Sequence, residues 1–168
     1  KLSSMHPFDT VEDDHCETGA EAYADIAPLL HKLAKDLGYA TTSELKIYDP
    51  YYCAGTTKKH LSALGFTHVY NECEDFYKVI KDNTTPPHDV ILTNPPYSKD
   101  HVQKLLAFCG KNRKPFMLLM PNYVSSKEYY FPLLLGDNSA QEPTKEPNKP
   151  CGVGNSEASN TNSRHTGS

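Results

Sequence analysis

The chain has 168 residues, of which 38% are apolar, and its 17 basic and 21 acidic side chains give a net charge of −4. That length holds one domain with a core of useful size. No apolar run reaches the roughly 20 residues a membrane span needs, and the acidic balance excludes a generic nucleic-acid-coating protein.

No apolar signal core follows Lys1, and a start at Lys1 rather than Met reads as a trimmed or partial chain. Five cysteines (Cys16, Cys53, Cys73, Cys109, Cys151) form no CxxC pair and are odd in number. This favours reduced thiols and an intracellular protein, cytoplasmic or nuclear, over a disulfide frame. Eight histidines show no metal spacing, so no metal site is expected. Charge is uneven: residues 1–44 carry a net −6, residues 45–136 a net +3 and residues 137–168 a net −1. Lys99, Lys104, Lys111, Arg113 and Lys114 supply much of the positive middle, as a solvated helix face or as phosphate contacts.

Tyr23, Ile26, Leu30, Leu33, Ala34 and Leu37 recur at helical spacing and stop at Gly38, which predicts a helix with a glycine C-cap. Pro28 implies either a kink or a start near Asp25. Leu45–Tyr48 reads as a short strand. Thr56 or Thr57 then caps a helix that carries Leu61 and Leu64 and ends at Gly65. His68–Tyr70 is a second strand, and Phe76, Val79 and Ile80 suggest a short helix. Asp89–Thr93 is a continuous apolar strand of the kind buried in parallel sheets. Ser98 caps the next helix, with Val102, Leu105, Leu106 and Cys109 on one face, and Phe116–Met120 is another buried strand. Strand–helix alternation with short connections means βαβ units: an α/β fold with a doubly wound, mostly parallel sheet.

After Met120 the only further strand candidate is Leu133–Leu135. From Asp137 onward aromatics vanish and Asn, Ser, Thr, Pro, Gly and Glu dominate, so residues 137–168 read as a disordered, low-complexity tail. The folded core is therefore expected over 1–136, as a helical lead-in (1–44) and a sheet core (45–136).

In such sheets ligands bind beyond the carboxyl ends of the strands. Four post-strand segments converge there: Asp49–Gly55, Asn71–Phe76, Asn94–Tyr97 and Pro121–Tyr123. In Asn94-Pro95-Pro96-Tyr97 the two prolines hold the backbone extended and remove two N–H donors. Asn94 Oδ1 and the Pro95 carbonyl can then accept from the hydrogens of a planar amino group, drawing its nitrogen toward a tetrahedral shape with a freer lone pair. Tyr97 offers a flat face on which the planar group can stack.

Thr93-Asn94-Pro95-Pro96-Tyr97-Ser98 resembles the catalytic motif of the amino-methyltransferases, whose signature is (Asn/Asp/Ser)-Pro-Pro-(Tyr/Phe/Trp). The resemblance implies a Rossmann-like class I methyltransferase using S-adenosyl-L-methionine, with Asn94, Pro95, Pro96 and Tyr97 as catalytic residues. It implies transfer to N6 of adenine in RNA or DNA, with a glutamine side chain of a protein, or an inactive binding subunit of the same fold, as alternatives. Asp49-Pro50-Tyr51-Tyr52-Cys53-Ala54-Gly55 is similar to the family's cofactor loop, although it has one Gly where two or three are common. By the same resemblance Asp49, Pro50, Cys53, Ala54 and Gly55 bind the cofactor, Gly55 bringing backbone close to its methionine part, and Glu72 takes the ribose hydroxyls. Asp75 and Phe76 hold the adenine, and the segment Cys16–Tyr23, with Thr18, covers the methionine end. Seven strands are usual in this family. The chain is therefore expected to lack the C-terminal strands, as a truncated form or one completed by a partner subunit.

Overall fold

The computed structural model describes residues 17–136; the first part of the expected lead-in, Cys16 included, and the expected tail 137–168 lie outside the described residues. The elements in chain order are α1 (Ala20–Asp36), β1 (Ile47–Tyr48), α2 (Thr56–Ala63), β2 (Val69–Tyr70), α3 (Phe76–Lys81), β3 (Val90–Thr93), α4 (His101–Asn112), β4 (Phe116–Leu118) and α5 (Tyr130–Leu135), with 3-10 turns at Thr42–Glu44 and Asn122–Ser126. The alternation read from the sequence is present throughout.

The four strands form one all-parallel sheet in the order β2-β1-β3-β4. Ile47 pairs with Val69 on one side and Val90 on the other, and Ile91 pairs with Phe116. The chain moves outward from β1 to β2 and then returns past β1 to β3. The strand order thus reverses between β1 and β3, and a crevice opens there beyond their carboxyl ends.

Strand alternation sends side chains to two cores. Ile47, Val90 and Leu92 pack with Tyr23, Ala27, Leu30 and Ala34 of α1 and Leu61 of α2. Tyr48 and Ile91 pack on the other face with Phe76 of α3 and Leu105 and Cys109 of α4. Helices on both faces make the sheet doubly wound, as expected. Leu30, Leu45, Leu61 and Leu105 are wholly buried, and each such side chain contributes on the order of 1.5–3 kcal/mol.

Several boundaries differ from the sequence reading. Helix α1 starts at Ala20, capped by an extended Gly19, and runs through Pro28; proline has no N–H, so the Ala24 carbonyl loses its usual donor there. Helix α2 is capped by Gly55 in the left-handed region (φ +80°), not by Thr56 or Thr57. Ser98 does not cap α4: that helix begins at His101, with Asp100 at the N-cap position. Phe116–Met120 was expected to be buried. Instead β4 closes the sheet of the described residues, and Phe116 and Leu119 are exposed.

Leu133–Leu135 is helical rather than extended. Pro132 sits in the first turn of α5, where its missing N–H does no harm. Leu133 and Leu134 pack against Val102 and Leu106 of α4. The close approach of the two helices depends on Gly110: a Cβ there would overlap the Leu133 carbonyl oxygen and come within 3.0 Å of that of Leu134. Gly110→Ala is accordingly expected to lower stability by about 1–3 kcal/mol, the usual range for overpacking, read as a drop in melting temperature. An unchanged melt would mean that α5 is not docked on α4.

Candidate functional site

The carboxyl ends of β1 and β3 meet in a buried polar knot. Asp49 follows β1 directly and is only 4% exposed. Its Oδ1 accepts from the Thr93 hydroxyl at 2.6 Å and from the Tyr51 N–H at 3.2 Å, and its Oδ2 accepts from the Thr57 hydroxyl at 3.0 Å. Because Thr57 donates to Asp49, its oxygen accepts from the Tyr23 hydroxyl, also at 3.0 Å. One carboxylate thus gathers β1, β3 and α2 directly, and α1 through Thr57. Burial pushes the Asp49 carboxyl up to about 6, while its bonds from Thr93, Thr57 and the Tyr51 amide hold it down against that. Asn71, at the end of β2, is buried too and donates from Nδ2 to the Asp49 carbonyl at 3.2 Å.

The knot forms the floor of a cavity lined by Glu17, Thr18, Tyr23, Asp49, Tyr51, Cys53, Gly55, Thr56, Thr57 and Asn94. Five of the predicted site residues (Asp49, Cys53, Gly55, Thr18 and Asn94) are therefore brought together. Pro50 is buried beneath the loop. The Ala54 N–H donates to Glu17 Oε1 at 3.1 Å, which ties the segment before α1 to the loop after β1. Gly55 is required by conformation, since its φ of +80° strains any side chain, and an added Cβ would meet Tyr52 Oη at 3.0 Å.

The expected adenine-binding pair is placed otherwise. Asp75 is the N-cap of α3, its Oδ1 accepting from the Tyr77 and Lys78 amides. Phe76 is 1% exposed and packs its ring against Tyr51, Tyr77 and Phe108. An aromatic so enclosed presents no face to a ligand, so the sequence reading of Phe76 is corrected: it is core. Glu72 is exposed at the end of β2 and forms an ion pair with Lys58 of α2.

In the catalytic loop, Pro95 and Pro96 are buried and Tyr97 is 39% exposed. The Tyr97 hydroxyl lies 2.6 Å from Asn94 Oδ1 and 2.9 Å from the Leu119 carbonyl oxygen. A second, apolar groove adjoins the first cavity and shares Thr18, Tyr23 and Asn94 with it.

Residues that pattern reading missed are those with a hidden polar end. Tyr23 counts as an apolar helix position and Thr93 as the last residue of an apolar strand, yet their hydroxyls build the knot. Tyr77 and His101 were also missed. Tyr51 and Tyr77 join through their hydroxyls at 3.2 Å, and the Tyr77 hydroxyl meets His101 Nδ1. This ties the β1 loop to the start of α4. Among the described residues no helix is long and apolar enough to cross a membrane, and no group of three or more His, Cys, Asp or Glu could hold a metal ion.

Compared with family models, with curated proteins and with solved structures, the chain finds no match in any of the three.

A raised carboxyl has a definite consequence for stability. Folding favours the protonated form of Asp49, so its contribution is full below the unfolded value of 3.8 and is lost as pH rises through about 6. Between these limits, denaturant melts of the wild type should lose stability relative to Asp49→Asn, which does not titrate. Parallel pH profiles for the two proteins would contradict the buried, proton-holding Asp49.

Proposed function

We propose that the chain is an S-adenosyl-L-methionine-dependent methyltransferase of the Rossmann-like class, acting on a planar amino nitrogen. The observation that carries this reading is the meeting of Asp49 and Asn94 in one cavity at the point where the strand order reverses. The loop that resembles the family's cofactor loop and the loop that resembles its catalytic motif face each other there.

The residues present suit the sulfonium and amino-acid half of such a cofactor. The cavity carries the carboxylates of Glu17 and Asp49 with the hydroxyls of Thr56 and Thr57, and is partly open to solvent. Two carboxylates favour a ligand with positive centres. The fit is poorer at the adenosine half, where Asp75 and Phe76 are committed to α3 and the core.

When bound, S-adenosyl-L-methionine supplies an activated methyl: the new N–CH3 bond forms as the S–CH3 pair returns to sulfur, and the amino proton passes to water. The chain's own residues prepare that exchange. Above pH about 6 Asp49 is ionised, and the knot fixes its charge beside the cavity before any ligand arrives. Asn94 Oδ1 accepts from the amine and holds its lone pair toward the cavity, while the buried prolines keep the loop extended. Asn94 is too weak a base to take the proton. Its role is orientation.

Adenine in RNA or DNA is the first substrate reading and a protein glutamine the second. One observation keeps the second alive. Of the cations thought to favour nucleic acid, Lys104 pairs with Asp100 and lies 4.8 Å over the Tyr77 ring, and Lys114 donates to the His88 carbonyl. The fold itself uses both.

Asn94→Ala should cut methyl transfer on the order of 100-fold or more, as for loss of one transition-state hydrogen-bond partner, with cofactor affinity unchanged by calorimetry. Transfer from labelled cofactor to pooled RNA, DNA and protein reads the rate and identifies the substrate class together. Activity in the variant within threefold of wild type refutes the assignment of Asn94.

A further inference from the structure

Three side chains that the proposed chemistry does not use form one hydrogen-bonded run on the α3 and α4 side of the sheet. The Tyr51 hydroxyl lies 3.2 Å from that of Tyr77, and the Tyr77 hydroxyl meets Nδ1 of His101. Tyr51 and His101 are both buried. Burial pushes the Tyr51 hydroxyl well above its ordinary value, so it keeps its hydrogen. One direction serves all three groups without an extra proton: Tyr51 donates to Tyr77, and Tyr77 donates to His101 Nδ1. The first turn of α4 grips Tyr77 in a second way. Lys104 stands on the same face of the helix as His101, with Nζ 4.8 Å over the Tyr77 ring, and the His101 and Tyr77 rings lie 5.5 Å apart.

The two ends of this run belong to the two loops of the site. Tyr51 lines the Asp49 cavity, and its N–H donates to Asp49 Oδ1. His101 begins α4, and Ser98, Lys99 and Asp100 alone separate it from Tyr97. That link has little slack. Lys99 sits in the left-handed region at φ +52°, a strained conformation that persists only where the surroundings impose it. The His101 N–H reaches back to the Ser98 carbonyl at 3.5 Å. On the far side of the link, the Tyr97 hydroxyl lies 2.6 Å from Asn94 Oδ1. A displacement of His101 is therefore passed to Tyr97 and Asn94.

On the methyltransferase reading of the Asn94 loop, we propose that Tyr77 and His101 are positioning residues for Asn94: they tie the start of α4 to Tyr51 and so hold that loop in register with the loop after β1. Neither residue lines the cavity or the groove. Thr93 sets the near end of the Asn94 loop through Asp49, and His101 sets its far end. A loop pinned at one end alone lets Asn94 swing, and a misplacement of about 1 Å can cost on the order of 100-fold in rate.

The side-chain amide resonances of Asn94 report its position in isotope-labelled protein with no ligand added. Tyr77→Phe keeps the ring and removes the hydroxyl, and His101→Leu removes the acceptor. His101→Asn supplies an acceptor again, since its Oδ1 can stand where Nδ1 stood. The Asn94 amide pair should shift or split in Tyr77→Phe and His101→Leu and keep its wild-type place in His101→Asn. Methyl transfer at saturating cofactor should fall on the order of tenfold in the first two variants and recover in His101→Asn. A purely structural role would lower the melting temperature and leave the Asn94 signals where they were. Asn94 unmoved in both breaking variants, transfer in both as fast as in wild type, or His101→Asn behaving as His101→Leu overturns the proposal. Asn94 displaced in the variants, with no transfer by the wild type to RNA, DNA or protein, keeps the tie and sinks the methyltransferase. Transfer by the wild type with Asn94 unmoved in the variants does the reverse.

Discussion

Beyond the paired strands themselves, one hydrogen bond joins the two loops of this site: the Thr93 hydroxyl donates to Asp49 Oδ1 at 2.6 Å in a setting where both residues are buried. Asp49 follows β1 and Thr93 ends β3, and the strand order reverses between these strands. Removing the Asp49 side chain would leave the hydroxyls of Thr93 and Thr57 and the Tyr51 amide without their acceptor. Removing the three donors would leave a buried charge unpaired. Either loss is large on the scale of a domain's stability, since unsatisfied buried polar groups cost about 1–3 kcal/mol each and charges more. The loops after β1 and β3 are therefore fixed relative to each other by the fold, before any ligand binds.

That constraint explains why the cavity and the apolar groove lie side by side and differ in character. Hydroxyls and carboxylates that serve the knot also line the cavity. The groove lies on the α1 side, where Leu92 and Met117 project from the sheet, and there the core chemistry continues to the surface. Asn94 belongs to both because it follows Thr93 immediately, and the prolines behind it are buried. The arrangement puts one polar side chain between a polar compartment and an apolar one.

The order and kinds of element were legible in the sequence because apolar period separates helix from strand cleanly in this chain. Val90–Leu92 is apolar without break and its strand is buried throughout, whereas Tyr23, Leu30 and Ala34 repeat at helical spacing. Boundaries were less legible. Gly19 and Gly55 start helices without a side-chain cap, and Pro28 looked like a starting point because proline usually is one. Leu133–Leu135 has no period to read in three residues, and the close packing of its helix on α4 depends on Gly110, far from it in sequence. In the site, the Asn-Pro-Pro-Tyr loop and Asp49 could be found by pattern, since each follows a strand. Phe76 could not be told from a ligand-stacking aromatic, because the rings of Tyr51, Tyr77 and Phe108 that enclose it come from three separate parts of the chain. Thr93, Tyr23 and Thr57 were invisible as a group: their link is spatial, and each alone satisfies an ordinary structural pattern.

The central claim is that the Asp49 knot is the floor of a binding site for a positively charged cofactor. Calorimetric titration of S-adenosyl-L-methionine between pH 5 and pH 7 tests it most directly, because the Asp49 carboxyl gains its charge near pH 6. The account predicts binding that tightens as pH rises through that value in the wild type and stays weak and flat in Asp49→Asn. Absence of binding at every pH, or equal affinity and equal pH dependence in the two proteins, would contradict it.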